Sequence, residues 1–220
     1  MSIKDNFAVY EIPNKQAKPW ILKKHYANRL PSISYAFGLY RKDEIVGVCT
    51  FGYPPNYNFN NGDCVFENYS VETFELNRLI TEDDLPKNAL SYFVSQCLKL
   101  LPSPSCVVSY SDPNEGHHGY IYQATNWIYT GTSTPKHRYH FEDGSVFDIR
   151  RGIDIKQRIH GEIVEKEKLK PTHRYLYFVG NKREKKKMLD ELKYDIKPYP
   201  KGDNKEYDTG DKIHKQLRLF

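Results

Sequence analysis

Long apolar runs are missing from this 220-residue chain, and no window approaches about 18 consecutive apolar residues, so no segment reads as a membrane span. The first residues, Met1-Ser2-Ile3-Lys4-Asp5-Asn6, hold no apolar stretch, and no secretory leader is expected. Cysteine is scarce and scattered. Cys49, Cys64, Cys97 and Cys106 form no Cys-x-x-Cys pair and have no His at finger spacing. Three of them sit in apolar runs, which predicts buried free thiols in a reducing compartment rather than disulfides or structural zinc. No internal repeat is present, and the one biased tract is a short Lys-rich stretch. The Gly-rich nucleotide loop Phe-x-Gly-x-Gly is also absent.

What the chain has in quantity is aromatic surface: 18 Tyr, 11 Phe and 2 Trp within an apolar fraction of 39%. That suffices for a core, which excludes a wholly disordered chain, and the length suits one domain with an appended tail. The net charge of +5 is unevenly placed. Residues 1–149 carry 13 Lys and Arg against 16 Asp and Glu, a net of −3, whereas residues 150–220 carry 20 against 12, a net of +8. This split predicts a core over 1–150 and a basic extension over 151–220 packed on it, the footprint of a polyanion binder. The densest stretch, Asn181 to Leu189, follows a strand pattern at Arg174–Gly180 and continues as a helix bearing Met188, Leu189 and Leu192. Lysines at a helix start oppose its dipole by about a few tenths of a kcal/mol each, a cost that a bound phosphate offsets. Lys182, Arg183, Lys185, Lys186 and Lys187 are therefore candidate DNA contacts, against the plainer reading of a solvated surface helix.

Periodicity supplies the other elements. Phe7–Ile12 reads as a strand, and Pro19 opens a short helix running to Tyr26, at the position proline favours. Ile33–Tyr40 and Ile45–Gly52, joined by a polar link, read as a hairpin, and a Pro/Asn/Gly-rich loop spans 53–63 with Tyr53 and Tyr57 as exposed aromatics. Thr73–Ile80 is a strand. Ala89, Leu90, Phe93, Val94, Cys97, Leu98 and Leu101 then recur at helical spacing. Cys106–Tyr110 is a short apolar run suited to a buried parallel strand reached by a crossover helix. A short helix at Tyr120–Thr125, a strand at Trp127–Gly131 and a hairpin over 137–149 follow. The order predicts an α+β fold, with an antiparallel meander leading through a helical crossover into a central strand.

The segment from Ser109 to Gln123 concentrates a carboxylate, two imidazoles, hydroxyls and glycines just after that strand, where such sheets collect ligands. Asp-Pro-Asn-Glu-Gly is good turn chemistry by itself, but a turn requires neither His117-His118 nor the following aromatics. Asp112 suits a general base towards an amine, and Tyr122 a proton donor to a leaving group. Arg78 lies in an apolar strand, where an unpaired guanidinium is costly to bury. It should meet a carboxylate or a phosphate, with Asp112 a candidate partner. His25-Tyr26 ends the first helix. A metal held by His25, Asp112 and one of the later imidazoles is a further arrangement the sequence leaves open. Ser111-Asp112-Pro113-Asn114 lacks the second proline and the aromatic of the Asp/Asn-Pro-Pro-aromatic motif, which discounts an amino-methyltransferase.

In order, His25-Tyr26, Leu76–Leu79, Tyr110–Pro113, Gly119–Gly131 and Tyr175–Arg183 resemble the Mom family of bacteriophage DNA-modification proteins over roughly residues 20–200. The resemblance implies a divergent acetyltransferase-like (GNAT) fold, with a central mixed β-sheet flanked by helices and a basic C-terminal extension. It implies transfer of an acyl-derived, methylcarbamoyl-type group to the N6 amine of adenine in double-stranded DNA. It also implies protection of that DNA from host restriction, no membrane partner, and work in the host cell cytoplasm. His25, Tyr26, Arg78, Asp112 and Tyr122 are the positions it carries over as functional. An acetyl-CoA donor follows from the fold by analogy. The Arg/Gln-x-x-Gly-x-Gly/Ala loop of ordinary acetyltransferases is replaced here by Arg78–Asn88 without glycine, leaving Lys87, Asn88 and the helix start to hold the cofactor's phosphates. Two other classes share many of these features: a non-catalytic nucleic-acid-binding module on a degenerate acyltransferase scaffold, and an acyltransferase acting on a small amine or protein.

Overall fold

The computed structural model describes residues 3–24, 29–56, 59–149 and 152–201. In chain order they form α1 (Ile3–Asn6), β1 (Phe7–Glu11), α2 (Asn14–Lys24), β2 (Tyr35–Arg41), β3 (Glu44–Gly52), β4 (Thr73–Thr81), α3 (Ala89–Leu100) and β5 (Ser105–Ser111). Then come α4 (Tyr120–Ala124), β6 (Ile128–Thr132), β7 (His137–Phe141), β8 (Val146–Ile149), α5 (Ile153–His160), β9 (Ile163–Lys168), β10 (His173–Val179) and α6 (Lys182–Asp190). The main sheet has the order β1-β2-β3-β4-β5-β10-β6, and β8-β7-β9 form a second, three-stranded sheet. The α+β organisation with a mixed central sheet flanked by helices is as expected. The meander β1 to β4 is antiparallel, and α3 carries the chain across to β5, which runs parallel to β4.

Burial explains why these segments fold as they do. Along β5, Val107 packs into one apolar cluster while Cys106 and Val108 pack into another, and β10 divides Tyr175 from Leu176 and Phe178 in the same way. Both strands are thus covered on both faces, which is why they read as unbroken apolar runs rather than as alternation. Helix α3 buries Ala89, Phe93, Val94, Cys97 and Leu98 on the first side. Met188 of α6 and the loop bearing Phe59, Val65, Phe66 and Val71 close the second. All four cysteines are free thiols, three of them buried.

Three details differ from expectation. Helix α2 starts at Asn14, so Pro19 lies inside it. Ala17 and Ile21, both fully buried one turn apart, hold the helix to the sheet and outweigh the missing N–H bond. Helix α5 and strand β9 form in a stretch where the sequence indicated neither. The described part of the C-terminal segment, 152–201, enters the core: β10 stands between β5 and β6, antiparallel to both. Its further course bonds Tyr199 Oη to the Trp127 carbonyl at 2.6 Å, with both residues buried. Among the described residues no helix is long and apolar enough to cross a membrane.

Candidate functional site

Strands β4 and β5 pair over only three residues, from Thr73↔Cys106 to Glu75↔Val108. Beyond that point they part, and the Ser109 hydroxyl donates across the split to the Leu76 carbonyl at 2.8 Å. A cleft of about 340 Å³ opens there, within the roughly 300–1,000 Å³ usual for small-molecule sites. Leu76–Leu79 of β4 and Tyr110–Asp112 at the end of β5 supply two sides, and Gly116–Tyr122 supply a third. Arg78, Asp112 and Tyr122 therefore share one cleft. His25 and Tyr26 lie outside the described residues, as does Tyr57. Tyr53 is partly exposed, and its hydroxyl is bonded to Glu72.

Asp112 directly follows β5 and caps a 3-10 turn over Pro113–Glu115. Its Oδ1 accepts from the Asn114 backbone N–H at 2.9 Å and from Asn114 Nδ2 at 2.7 Å. Asn114 also clamps the backbone of Lys170, with Nδ2 donating to its carbonyl and Oδ1 accepting from its N–H, both at 3.0 Å. Both hydrogens of that side-chain amide and its oxygen are thus engaged, one bond reaching the carboxylate and two tying the amide to the Lys170 backbone. Asp112 Oδ2 has no partner among the described residues. The carboxylate is aimed but half free.

Tyr122 is buried against Trp127 and Tyr175, with ring centroids 4.9 and 5.0 Å away. Its hydroxyl meets Ser109 Oγ at 2.7 Å. The Ser109 hydroxyl is within reach of two acceptors, the Tyr122 oxygen and the Leu76 carbonyl at 2.8 Å, and its single proton is shared between them. Ser111 lies two residues on, on the same face of β5 as Ser109. It is buried, and its hydroxyl finds no partner among the described residues.

Among the described residues the guanidinium of Arg78 donates to two carbonyls, Nη1 to that of Asn77 and Nη2 to that of Arg29, the latter at 2.9 Å. Neighbouring Asn77 donates to the Ser32 carbonyl at 2.8 Å. The Leu-Asn-Arg-Leu motif thus holds the segment before β2 along the cleft. Across the cleft, Gly119 adopts φ 78, and a Cβ there would lie 2.4 Å from the Tyr175 ring. That ring donates its hydroxyl to the His118 carbonyl at 2.7 Å, and burial pushes its pKa well up. His173, bonded to Tyr129 Oη at 2.9 Å, is held below the usual histidine range by burial and then by His118. Among the described residues no three His, Cys, Asp or Glu side chains converge as a metal site.

Lys87 and Asn88 stand exposed before α3, whose Leu90 lines the cleft. Asn88 is left-handed and makes no side-chain capping bond, which leaves the amides of Leu90 and Ser91 to an external acceptor. The nearby acids Glu82 and Asp84 are occupied by Lys24 at 2.6 Å and Arg41 at 3.0 Å. These residues fit a phosphate-bearing group.

Helix α6 is elsewhere. It follows Val179, which pairs with Ser105 at the start of β5, whereas the cleft lies at Ser111, the end of β5. Six strand residues, about 20 Å, separate the two levels. The start of α6 is also served internally: Asn181 Oδ1 accepts from the Arg183 and Glu184 amides, and Glu184 Oε2 accepts from Asn181 N–H at 2.7 Å. No phosphate is needed there to offset the lysines. Lys185 is half-buried beside Tyr177, and desolvation lowers its pKa. The structure thus brings Arg78, Asp112 and Tyr122 together and leaves Lys182–Lys187 apart from them. Ser111, Asn114 and Gly119 fall within the segment that the sequence singles out, but it assigned them no individual role.

A family model described as the Mom protein family matches residues 6–201. The chain belongs to the Mom family. The methylcarbamoylase Mom of Escherichia phage Mu is 30% identical over 200 residues, covering 84% of this chain and 80% of that protein. Among solved structures, an N-acetyltransferase from Staphylococcus aureus Mu50 is aligned over 79% of this chain and 99% of its own. Its identity of 12% and TM-score of 0.44 are too low to carry a fold assignment. The Mom match spans the whole cleft, the second sheet and α6.

Proposed function

We propose that this chain is a DNA-modifying transferase that places an acyl-derived, methylcarbamoyl-type group on the N6 amine of adenine and so shields phage DNA from restriction. One observation carries the reading: a carboxylate with one oxygen locked and the other free, at the mouth of a cleft opened by parting parallel strands. Family membership and the name of the phage Mu relative support it. The amine of a base lies inside the duplex stack, so the target is flipped out to enter a cleft of this size. Asp112 Oδ2 accepts one N6 hydrogen and takes that proton as N6 forms its new bond, which a neutral exocyclic amine needs because it is a weak nucleophile. The Ser111 hydroxyl and the Tyr122 oxygen line the same space and orient the ring. Arg78 keeps the Arg29 side of the cleft in place. A CoA-type thioester of the transferred group would supply it, its carbonyl–sulfur bond breaking as the N6–carbon bond forms and the sulfur leaving as the free thiol with the proton that Asp112 took up, and Lys87, Asn88 and the start of α3 would hold its phosphates.

Nucleoside mass spectrometry of DNA from cells expressing the protein tests this reading. An adenine adduct is expected with the wild type, and none with Asp112→Asn, which keeps the shape of the turn and still binds duplex DNA. Modification at the normal rate in that variant overturns the role of Asp112. The distance between α6 and the cleft favours a second reading, an acyltransferase for a small amine or protein. Unmodified DNA together with acylation of such an amine would establish it.

A further inference from the structure

The chain leaves β6 at Thr132, the level of His173 and hence of Ser111, and builds the three-stranded sheet β8-β7-β9 with α5 before returning as β10. This arm is rooted at the cleft: the Lys170 backbone is clamped by Asn114, and Ser133 Oγ meets Thr172 Oγ1 at 2.7 Å. Strand β9, Ile163-Val164-Glu165-Lys166-Glu167-Lys168, sorts its charges by face, because successive side chains point to opposite sides. Register extends the sorting across the sheet. Lys168 pairs with His137 and Lys166 with Tyr139, and these pair in turn with Ile149 and Phe147. The other face holds Glu165, Glu167, Arg138, His140 and Asp148.

The two faces differ in how their charges are satisfied. On the acidic face Arg138 forks onto Asp148 at 2.8 and 3.1 Å, and His140 approaches Glu165 at 4.0 Å. On the other face neither Lys166 nor Lys168 meets a carboxylate among the described residues. Lys166 Nζ lies 5.6 Å from the Tyr139 ring centroid, and Lys156 of α5 lies 4.0 Å from that of Phe147. The exposed Lys166 and Lys168, on a face whose Tyr139 ring is buried and whose Phe147 is half-buried, stand beside a base-sized cleft and match a polyanion whose charges are regularly spaced. Paired carboxylates have been kept to the far side.

We infer that the Lys166–Lys168–His137 face of the arm is the phosphate-contacting surface that holds duplex DNA beside the cleft, in place of the Lys-rich α6. The inference rests on the DNA reading proposed above. Phosphate contacts position a duplex without reading its sequence. The surface therefore sets how tightly the enzyme holds DNA, and the cleft sets which base is changed.

Lys166→Gln/Lys168→Gln and, as a control, Glu165→Gln/Glu167→Gln would be titrated with a fluorescein-labelled 30-base-pair duplex across a salt series, with circular dichroism checking each fold. Two lost phosphate contacts reduce the slope of log affinity against log salt by about 2 and weaken binding at 0.1 M salt by at least about ten-fold. The carboxylate variants bind as tightly as the wild type or tighter. Adducts formed by the lysine variant should fall in amount but keep the wild-type sequence context. An unchanged slope in a folded Lys166→Gln/Lys168→Gln protein, or a loss confined to Lys185→Gln/Lys186→Gln/Lys187→Gln, overturns the inference while leaving the DNA reading intact. A wild type that neither binds duplex nor modifies it overturns both.

Discussion

Replacing Gly119 by alanine probes the wall of the cleft, and Gly116 supplies its internal control. Both glycines are left-handed, with φ 78 and 72, but a Cβ on Gly116 would meet nothing within 4 Å, whereas one on Gly119 would meet Tyr175 at 2.4 to 2.7 Å. Gly116→Ala therefore carries only the backbone term, about 1–2 kcal/mol for an alanine at positive φ. Gly119→Ala carries that term and more. Tyr175 is fully buried among Tyr122 and Tyr129 at 5.0 and 5.2 Å, so its ring has little room to retreat. Overpacking of this kind costs about 1–3 kcal/mol, and a displaced hydroxyl loses its bond to the His118 carbonyl, about 1 kcal/mol. The sum is roughly 3–6 kcal/mol. For a chain of this size, thermal unfolding should fall by about 2–4 °C per kcal/mol. Gly116→Ala then melts a few degrees below the wild type, and Gly119→Ala at least about 6 °C lower or fails to accumulate. Equal melting points for the two variants would refute the steric part of the reasoning, because their backbone terms are the same.

Two further outcomes follow from the same region. Asn114→Asp keeps size but cannot donate to Asp112 or to the Lys170 carbonyl and adds a like charge, so it should lower the adduct yield per hour more than Asn114→Ala does; the reverse order in nucleoside mass spectrometry would mean that the clamp does not orient Asp112. His173 is depressed by burial, so the unfolded chain takes up its proton first, and stability present above about pH 6.5 is lost as pH falls below that value. Melting measured from pH 8 to 5 should show this loss in the wild type and less of it in His173→Gln, and parallel profiles would refute the assignment.

The sheet was legible because its strands and α3 carry strong periodic patterns, and the cleft because a buried run ending in polar residues marks the mouth of a parallel strand. Lys166 and Glu167 gave no such signal: β9 has almost no apolar alternation and exists by pairing with β7. Pro19 misled for the opposite reason, since a local preference yielded to burial of Ala17 and Ile21. The role of Asn114 depends on a backbone 56 residues away, and that of Gly119 on the ring of Tyr175. Neither spacing can be read along the chain. Charge totals pointed to the C-terminal segment correctly as a cationic region, yet composition does not tell which end of a sheet a helix occupies.

The position of β10 has a consequence for synthesis. Strand β5 gains its second neighbour, and β6 its recorded strand partner, only when residues 173–179 arrive. A ribosome that has released residue 150 has therefore made Asp112 of the cleft but not the strand that closes the sheet behind it. Until some thirty further residues emerge, the apolar flank of β5 stays open to solvent and to neighbouring chains, a liability for any unpaired strand edge. Helix α5 and strand β9 are made during this interval, so the surface inferred to grip DNA is complete before the strand that closes the sheet behind the cleft.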